Sequence, residues 1–169
     1  MCGNVTKAGE GLSAALGGMV RAMRNAPRVL SAAELLELLA LDVPARLATL
    51  DSRGFPHVTP LWFLWSEGAF YFTSLTDRPH LRRLEREPRV GVCVDIESPQ
   101  RPDGQRPNRQ VRALGHAELF SDEGGAWTRA ITLKYVKGPA AREHGERRAE
   151  QPRVAIRLKP ITLLALASV

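Results

Sequence analysis

Cysteine and long apolar runs are scarce in this chain, and each scarcity excludes a class of protein. The two cysteines, Cys2 and Cys93, form no Cys-x-x-Cys pair, so neither a disulfide framework nor a zinc site of that type is expected. No apolar run approaches the roughly 18 residues of a membrane-spanning helix. Glycines and charges interrupt the N-terminal residues, which argues against a signal peptide. We therefore expect a cytoplasmic protein without a membrane partner.

Motifs for covalent catalysis or nucleotide hydrolysis are missing as well. The sequence shows no P-loop, no recognisable catalytic triad and no cluster of metal ligands. Cys93 lies in the apolar run 90–96, where a free cysteine is expected to be a small core residue rather than a nucleophile. The sequence therefore assigns no catalytic residue.

The chain does have enough apolar material for one domain and a clear excess of positive charge. Its 169 residues are 44% hydrophobic, which suits a single domain with a proper core. The net charge of +6 admits an anionic partner, which is a nucleic acid, a membrane surface or a phosphorylated ligand. Glycine and alanine are frequent near the N-terminus, so we expect a flexible arm at 1–30 and the domain at 31–169.

Local patterns predict a mainly β chain with short peripheral helices. The capping box Ser31-Ala-Ala-Glu34 begins a first helix. Further helices are predicted at 79–87 and 126–136, whereas 138–152 is expected to be a flexible segment or a ragged helix. Period-two or apolar runs predict strands at 45–51, 57–65, 69–74, 89–96, 110–120, 153–158 and 161–167.

The connections between these strands predict their arrangement. They are too short for parallel crossovers, so the first three strands are expected to form an antiparallel meander. The strand at 89–96 is almost wholly apolar, which predicts burial on both faces, and Pro160 is expected to break the last strand. Without regular β-α-β alternation, the elements predict a six- to seven-stranded antiparallel split β-barrel with helices outside.

The stretch 53–89 carries the strongest functional signal. It predicts a hairpin whose second strand leads into a short basic helix, which brings backbone N–H groups and cations together for an anion. Arg78 and His80 lie at the start of that helix and are candidates for the contact. Arg82 is a further candidate, although with Arg83 and Arg86 it also fits an ordinary solvated helix face.

Five segments carry a recognisable set of motifs. The first is Leu-Ala-Thr-Leu-Asp-Ser-Arg-Gly-Phe-Pro-His-Val-Thr-Pro-Leu-Trp-Phe at 47–63, and Phe-Tyr-Phe-Thr-Ser follows at 70–74. The others are Leu-Glu-Arg-Glu-Pro-Arg-Val at 84–90, Val-Arg-Ala-Leu-Gly-His-Ala-Glu-Leu at 111–119 and the final strand at 153–164. As a set they resemble the pyridoxamine 5'-phosphate oxidase-like split-barrel superfamily, which includes FMN enzymes and deazaflavin-dependent reductases.

That resemblance implies a homodimer with two cofactors at the subunit interface. It also implies a phosphate bound at the start of the short helix by a Lys or Arg, a position that His80 occupies here. The phosphate contact is therefore expected to pass to Arg78 or to a protonated His80, because imidazole titrates near neutrality. The cofactor ring is implied to lie against the second and third strands, at His57, Val58, Thr59, Pro60, Thr73 and Ser74.

The same resemblance implies an oxidoreductase whose bound cofactor transfers two electrons or a hydride to a small organic substrate. FMN and the deazaflavin coenzyme F-420 are both compatible with the sequence. The Arg- and Ala-rich composition is typical of high-GC actinobacteria, in which the deazaflavin is available, so F-420 is preferred. Its long anionic tail is expected along the basic residues at 78–86 and 101–112. Arg112 points either into the cleft or to solvent.

Other interpretations remain open. A split barrel that stores a cofactor or binds haem without catalysis would use His57, His80 or His116 as an axial ligand, and no spacing selects one of them. His57 is alternatively a polar strand-edge residue, and Tyr135 either reaches a substrate pocket or ends its helix. Nucleic-acid binding ranks below cofactor binding, because most of the aromatics at 62–72 are expected to form the core or a dimer interface and no RNP-like motif occurs.

Overall fold

Eight strands and four helices form the described part of the chain, residues 27–168 of a computed structural model. Residues 1–26, most of the predicted arm, lie outside the described residues. The strands are β1 (Arg28–Val29), β2 (Ala45–Leu50), β3 (Pro56–Leu61), β4 (Phe63–Ser66), β5 (Ala69–Leu75), β6 (Arg89–Glu97), β7 (Asn108–Ser121) and β8 (Arg153–Ser168). The helices are α1 (Ala32–Ala40), α2 (Pro79–Arg86), α3 (Ala126–Tyr135) and α4 (Ala141–Ala149).

The strands form one antiparallel sheet that curls into a half-barrel. Its order is β3-β2-β6-β7-β8-β5-β4, with β1 paired to β8. This confirms the predicted mainly β, antiparallel split barrel. The domain was predicted to start at residue 31. Arg28 on β1 already pairs with Ala167 on β8, so the sheet begins three residues earlier.

Both antiparallel pairings predicted for the first three strands are present, but the second strand is interrupted at Trp62, so the three do not form one continuous meander. The segment before the interruption, β3, pairs with β2, while the segment after it, β4, pairs with β5. These two pairs lie at opposite ends of the sheet path. Pro60 lies on β3, an edge strand with β2 as its one neighbour, where a residue without an N–H is tolerated.

The longest ladder joins β7 to β8 and runs past Pro160 without a break, so the predicted interruption of the last strand is wrong. Pro160 stands opposite Gly115, and an irregularity in register between Leu114 and Gly115 accommodates it. A Cβ atom at position 115 would lie 2.7 Å from the Leu158 Cδ1 atom and 2.8 Å from the Lys159 carbonyl oxygen. Glycine is therefore required at this close approach of two backbones.

The helices confirm one local prediction and correct another. The capping box at α1 is present, since the Ser31 hydroxyl accepts a hydrogen bond from the Glu34 N–H and the Glu34 carboxylate accepts one from the Ser31 N–H. The segment 138–152, predicted to be flexible or ragged, contains the regular helix α4. Its Gly145 packs against α3, and Glu146 forms a salt bridge to Arg129 across the two helices.

The core contains the predicted aromatic cluster, with Phe63, Phe70 and Phe72 fully buried. The strand β6 alternates between buried and more exposed residues, so its predicted burial on both faces is wrong. Cys93 lies on the more exposed face and is half-buried near Asp95, which corrects its assignment to the core. Burial and the Asp95 charge raise the pKa of the Cys93 thiol, which agrees with a non-nucleophilic cysteine.

No helix among residues 27–168 is long and apolar enough to cross a membrane. Within the same range, no group of three His, Cys, Asp or Glu side chains is arranged to hold a metal ion.

Candidate functional site

A cleft of about 520 Å3 opens where β3, the end of β5, α2 and the start of β8 meet. The fold brings these segments together because β5 pairs with β8, which places Leu75 opposite Arg153, and the chain then turns directly into α2. Six residues predicted from the sequence line the cleft: Thr59, Pro60, Thr73, Ser74, Arg78 and His80.

The other four predicted residues lie outside this cleft. The His57 Nε2 atom lies 3.2 Å from the Asp51 Oδ2 atom, and this contact is the first cause that lowers the pKa of Asp51 to about 2. The Arg82 guanidinium donates to the Asp77 carbonyl oxygen at 3.0 Å. Val58 and Arg112 are exposed on β3 and β7. Cofactor contacts of these four residues stay predictions.

Sequence reasoning missed two arginines and a tryptophan that line the cleft, and it left Arg83 open between the basic cluster at 78–86 and a solvated helix face. The polar segment that holds Arg148 and Arg153 had no assigned role. The Arg148 guanidinium carbon lies 4.5 Å from the centroid of the Trp62 ring, which is a cation–π contact. The Arg153 Nε–H donates to the Arg148 carbonyl oxygen at 3.0 Å, so each arginine of this pair is held in place.

The lining of the cleft is strongly basic. Four arginines (Arg78, Arg83, Arg148 and Arg153) contribute to it, and none of the described residues that line it is acidic. Burial, followed by the charge of Arg153, lowers the pKa of Arg148. Guanidinium groups nevertheless stay protonated in proteins. Among these four, only Arg78 has a carboxylate of the described residues within 4.0 Å, the exposed Asp77 at 3.7 Å, so the cleft keeps a net positive charge that suits an anion.

Two buried polar atoms at the wall of the cleft have no hydrogen-bond partner, the Thr73 Oγ1 atom and the His80 Nε2 atom. Buried polar groups are nearly always paired, so two exceptions at one cleft point to a ligand site. Burial first, then the charges of Arg83 and Arg78, lower the pKa of His80. Without a ligand this shift favours the neutral imidazole, so the arginines carry the positive charge of the cleft. A phosphate contact by a protonated His80 stays a prediction.

Tyr135 does not line this cleft and supports its wall instead. Its hydroxyl donates to the Val43 carbonyl oxygen at 2.9 Å and accepts the Phe63 N–H at 3.1 Å. Burial is the main cause that raises the pKa of Tyr135 to about 12, so the hydroxyl keeps its proton. The predicted alternative of a substrate-pocket residue has no support in these contacts.

The predicted groove for a long anionic tail is not continuous within one protomer. The basic residues of α2 precede the start of β6, where Arg89 pairs with His116, whereas the loop 98–107 follows its other end, where Glu97 pairs with Asn108. The two basic segments are therefore separated by the length of β6. Arg148 and Arg153, rather than this loop, extend the positive surface around α2.

The fold and the cleft together define a split-barrel protein with a strongly basic cleft. The family profile described as pyridoxamine 5'-phosphate oxidase matches residues 31–166. The chain therefore belongs to this family, as the motifs of the sequence predicted. No curated protein matches the chain significantly.

Solved structures share the fold. A conserved hypothetical protein from Mycobacterium tuberculosis superposes with a TM-score of 0.65 and 20% identity, over 81% of this chain and 84% of its own. An F-420 reductase superposes with a TM-score of 0.54 and 26% identity, over 75% of this chain and 93% of its own. A haem storage protein from Vibrio cholerae superposes with a TM-score of 0.63 and 18% identity, over 80% of this chain and 94% of its own. The names of the last two differ, one an F-420 reductase and the other a haem storage protein, so the shared fold does not identify the ligand of this chain.

Proposed function

We propose that the protein is an oxidoreductase that binds a flavin-type cofactor, the deazaflavin coenzyme F-420 or FMN, and transfers a hydride to a small organic substrate. The observation that carries this proposal is the cleft with four arginines, no acidic lining residue and two unpartnered buried polar atoms. The similarity to an F-420 reductase at 26% identity supports it.

The residues present fit such a cofactor. Arg78 and Arg83 on and beside α2 would bind its phosphate by charge-assisted hydrogen bonds. Thr59 and Pro60 from β3, with Thr73 from β5, form the wall on which the ring is expected. The cofactor supplies the two-electron chemistry when bound, and the protein binds it, orients it and limits access of water.

Titration of the purified protein with each cofactor tests the proposal. We expect binding at micromolar concentration, followed by absorbance at about 420 nm for the deazaflavin or about 450 nm for FMN. Arg83→Gln should weaken binding roughly tenfold or more, because a charge-assisted hydrogen bond is lost. Arg142→Gln is the matched control, since Arg142 is exposed on α4 and does not line the cleft. Absence of binding by both of these cofactors and by FAD would refute the proposal.

Haem binding without catalysis is the second candidate function. Of the three histidines that the sequence left open as ligands, His80 lines the cleft, and it is neutral with an unpartnered Nε2 atom. Neutral imidazole is the form that binds iron. A Soret band on haem titration that is lost in His80→Ala but kept in His116→Ala would support this candidate. The Nε2 atom is buried in the structure, so haem would have to displace part of the wall, and the flavin-type cofactor is preferred.

A homodimer completes the proposal, and an apolar groove on the outer face of the sheet supports it. The groove has a volume of about 420 Å3. Val58 pairs with Ala48, and Leu114 pairs with Gly91, which is itself a partner of Ala48. Cross-strand partners point to the same face, so Val58 and Leu114 share one row, with 62% and 61% of their surfaces exposed. Burial of this row against a second copy would remove a large apolar surface from water.

A further inference from the structure

The four cleft arginines belong to two pairs that come from different parts of the chain. Arg78 is the N-cap residue of α2, and Arg83 lies in the middle of this helix. The charges of both lower the pKa of His80, which lies between them in the sequence. Arg148 lies near the end of α4, and Arg153 begins β8. The pairing of β5 with β8 brings the second pair beside the first, and the charge of Arg78 acts on Arg153.

The second pair lacks the carboxylate partners that other arginines of the same region have. In α3 and α4, Arg129 pairs with Glu146 and Arg147 pairs with Glu143, each at 2.7 Å. No carboxylate of residues 27–168 lies within 4.0 Å of the Arg148 or Arg153 guanidinium. Two half-buried cations side by side are unfavourable unless an anion binds them.

The carboxylate of Asp122 faces this pair but is already engaged. Its charge raises the pKa of Arg153, against the larger effect of burial. Its oxygens accept hydrogen bonds from the Trp127 and Thr128 N–H groups and from the Thr128 hydroxyl, at 3.0, 3.0 and 2.6 Å. Asp122 therefore satisfies N–H groups in the first turn of α3 and forms no salt bridge to the arginine pair. Arg153 uses its Nε–H on the Arg148 carbonyl oxygen and one Nη2–H on the Gln151 side chain, at 3.0 and 3.5 Å, so the remaining guanidinium N–H groups of the pair are the ones that can bind a ligand.

The pair is also held in place before any ligand binds. The Trp62 ring fixes the Arg148 guanidinium through the cation–π contact, and the Arg153 Nε–H is bonded to the Arg148 carbonyl oxygen. Groups that are ordered in advance lose less conformational entropy on binding. This order is typical of a binding site and not of a solvated charged face.

A phosphate monoester such as that of FMN is a single anionic group, which one pair of arginines can bind, so the second pair, which has no carboxylate partner among residues 27–168, points to a second anionic group. We propose that the ligand of the cleft carries two anionic groups, one bound by Arg78 and Arg83 and the other by Arg148 and Arg153. The inference rests on the proposed function and narrows it. A cofactor with a diphosphate, such as FAD, or with a phosphodiester and carboxylates, such as F-420, meets this requirement, whereas FMN does not.

Titrations of FMN, FAD and F-420 against the wild type and four variants test this inference. The variants are Arg83→Gln, Arg148→Gln, Arg153→Gln and the control Arg142→Gln, each checked for an unchanged melting temperature. We expect FAD or F-420 to bind at least about tenfold more tightly than FMN. Arg148→Gln and Arg153→Gln should lower the affinity for the tighter-binding cofactor, FAD or F-420, by about tenfold, and the affinity for FMN by less than about twofold. Arg83→Gln should lower the affinity for all three cofactors.

The outcomes separate the inference from the function on which it rests. If FMN binds as tightly as the other two and loses affinity equally in Arg153→Gln, the inference is wrong while the proposed function stands. If none of the three binds, both are wrong. Should a Gln variant lower the melting temperature, Arg148→Lys and Arg153→Lys replace it, because they keep the charge and lose the planar fork that binds two oxygens at once. The two Lys variants should lower the affinity for FAD or F-420 more than the affinity for FMN.

Discussion

The rings of Tyr135 and Trp62 stack with their centroids 4.7 Å apart and their planes 2° from parallel. Tyr135 ends α3, and Trp62 stands where β3 and β4 part. On its other side, Trp62 meets the Arg148 guanidinium. The stack therefore joins a helix, the split of the barrel and the wall of the basic cleft.

Removal of the Tyr135 hydroxyl should destabilise the fold without removing the stack. Tyr135→Phe leaves the Val43 carbonyl oxygen and the Phe63 N–H without their partner. We expect the free energy of unfolding in urea to fall by about 1–3 kcal/mol. In Tyr135→Leu, which also loses the ring contact with Trp62, the free energy of unfolding should fall further. A phenylalanine variant as stable as the wild type would show that these hydrogen bonds contribute nothing net.

A methyl group at position 115 should disturb the ladder between β7 and β8. Gly115→Ala places a Cβ atom against a backbone oxygen at 2.8 Å, which the neighbouring strand can relieve only by shifting. We expect a loss of about 1–3 kcal/mol in the free energy of unfolding. Gly91→Ala on β6 is the control, because its nearest contact would be the Leu114 Cδ2 atom at 3.4 Å. Equal effects of the two substitutions would contradict the close approach described at Gly115.

Lys134 should make stability depend on pH in the alkaline range. Its Nζ atom donates to the Leu39 carbonyl oxygen at 2.8 Å and lies 3.5 Å from the Phe63 ring centroid, and burial lowers its pKa from 10.5 to about 8. Between these values the unfolded chain binds more protons than the folded protein, so stability rises with pH.

Lys134→Met removes this titration. The stability of the wild type relative to this variant should increase as the pH rises from about 8 towards 10.5, and should stay constant below about 8. Urea denaturation between pH 7 and pH 9.5, below the titration of most tyrosines (pKa about 10), measures the difference. Parallel stability curves for the two proteins would mean that the lysine keeps an ordinary pKa in the fold.

A charge in the apolar groove should dissociate the proposed homodimer. Leu114→Asp places a carboxylate in the row that includes Val58, and burial of an unpaired charge at an interface is strongly unfavourable. Sedimentation velocity should give a dimer for the wild type and a monomer for the variant. Leu133→Asp, at an exposed leucine of α3 outside the groove, should leave the dimer intact. A monomeric wild type at the same concentration would refute the proposal.

The sequence predicted the fold well where the determinants are local. The capping box at Ser31 needs only four consecutive residues, and the strands follow from period-two patterns that survive in the structure. The motif set identified the family. Six of the ten candidate residues meet at one cleft because they lie on or beside three elements that are close along the chain, β3, β5 and α2.

The remaining features depend on contacts between distant segments. The interruption at Trp62 separates β3 from β4 because each finds a different partner strand, and no local pattern records that choice. Arg148 and Arg153 face α2 because β8 pairs with β5. Pro160 stays within a strand because Gly115 lies opposite, and the neutral state of His80 follows from burial that tertiary packing alone produces.

The separation in sequence between the two arginine pairs has a consequence for the stability of the liganded protein. Everything from β6 through α4 lies between Arg83 and Arg153 along the chain. A ligand that binds both pairs closes this long loop without a covalent bond, and it has no comparable site in the unfolded chain. Ligand binding and the docking of α4 against the barrel are therefore thermodynamically linked, and each stabilises the other.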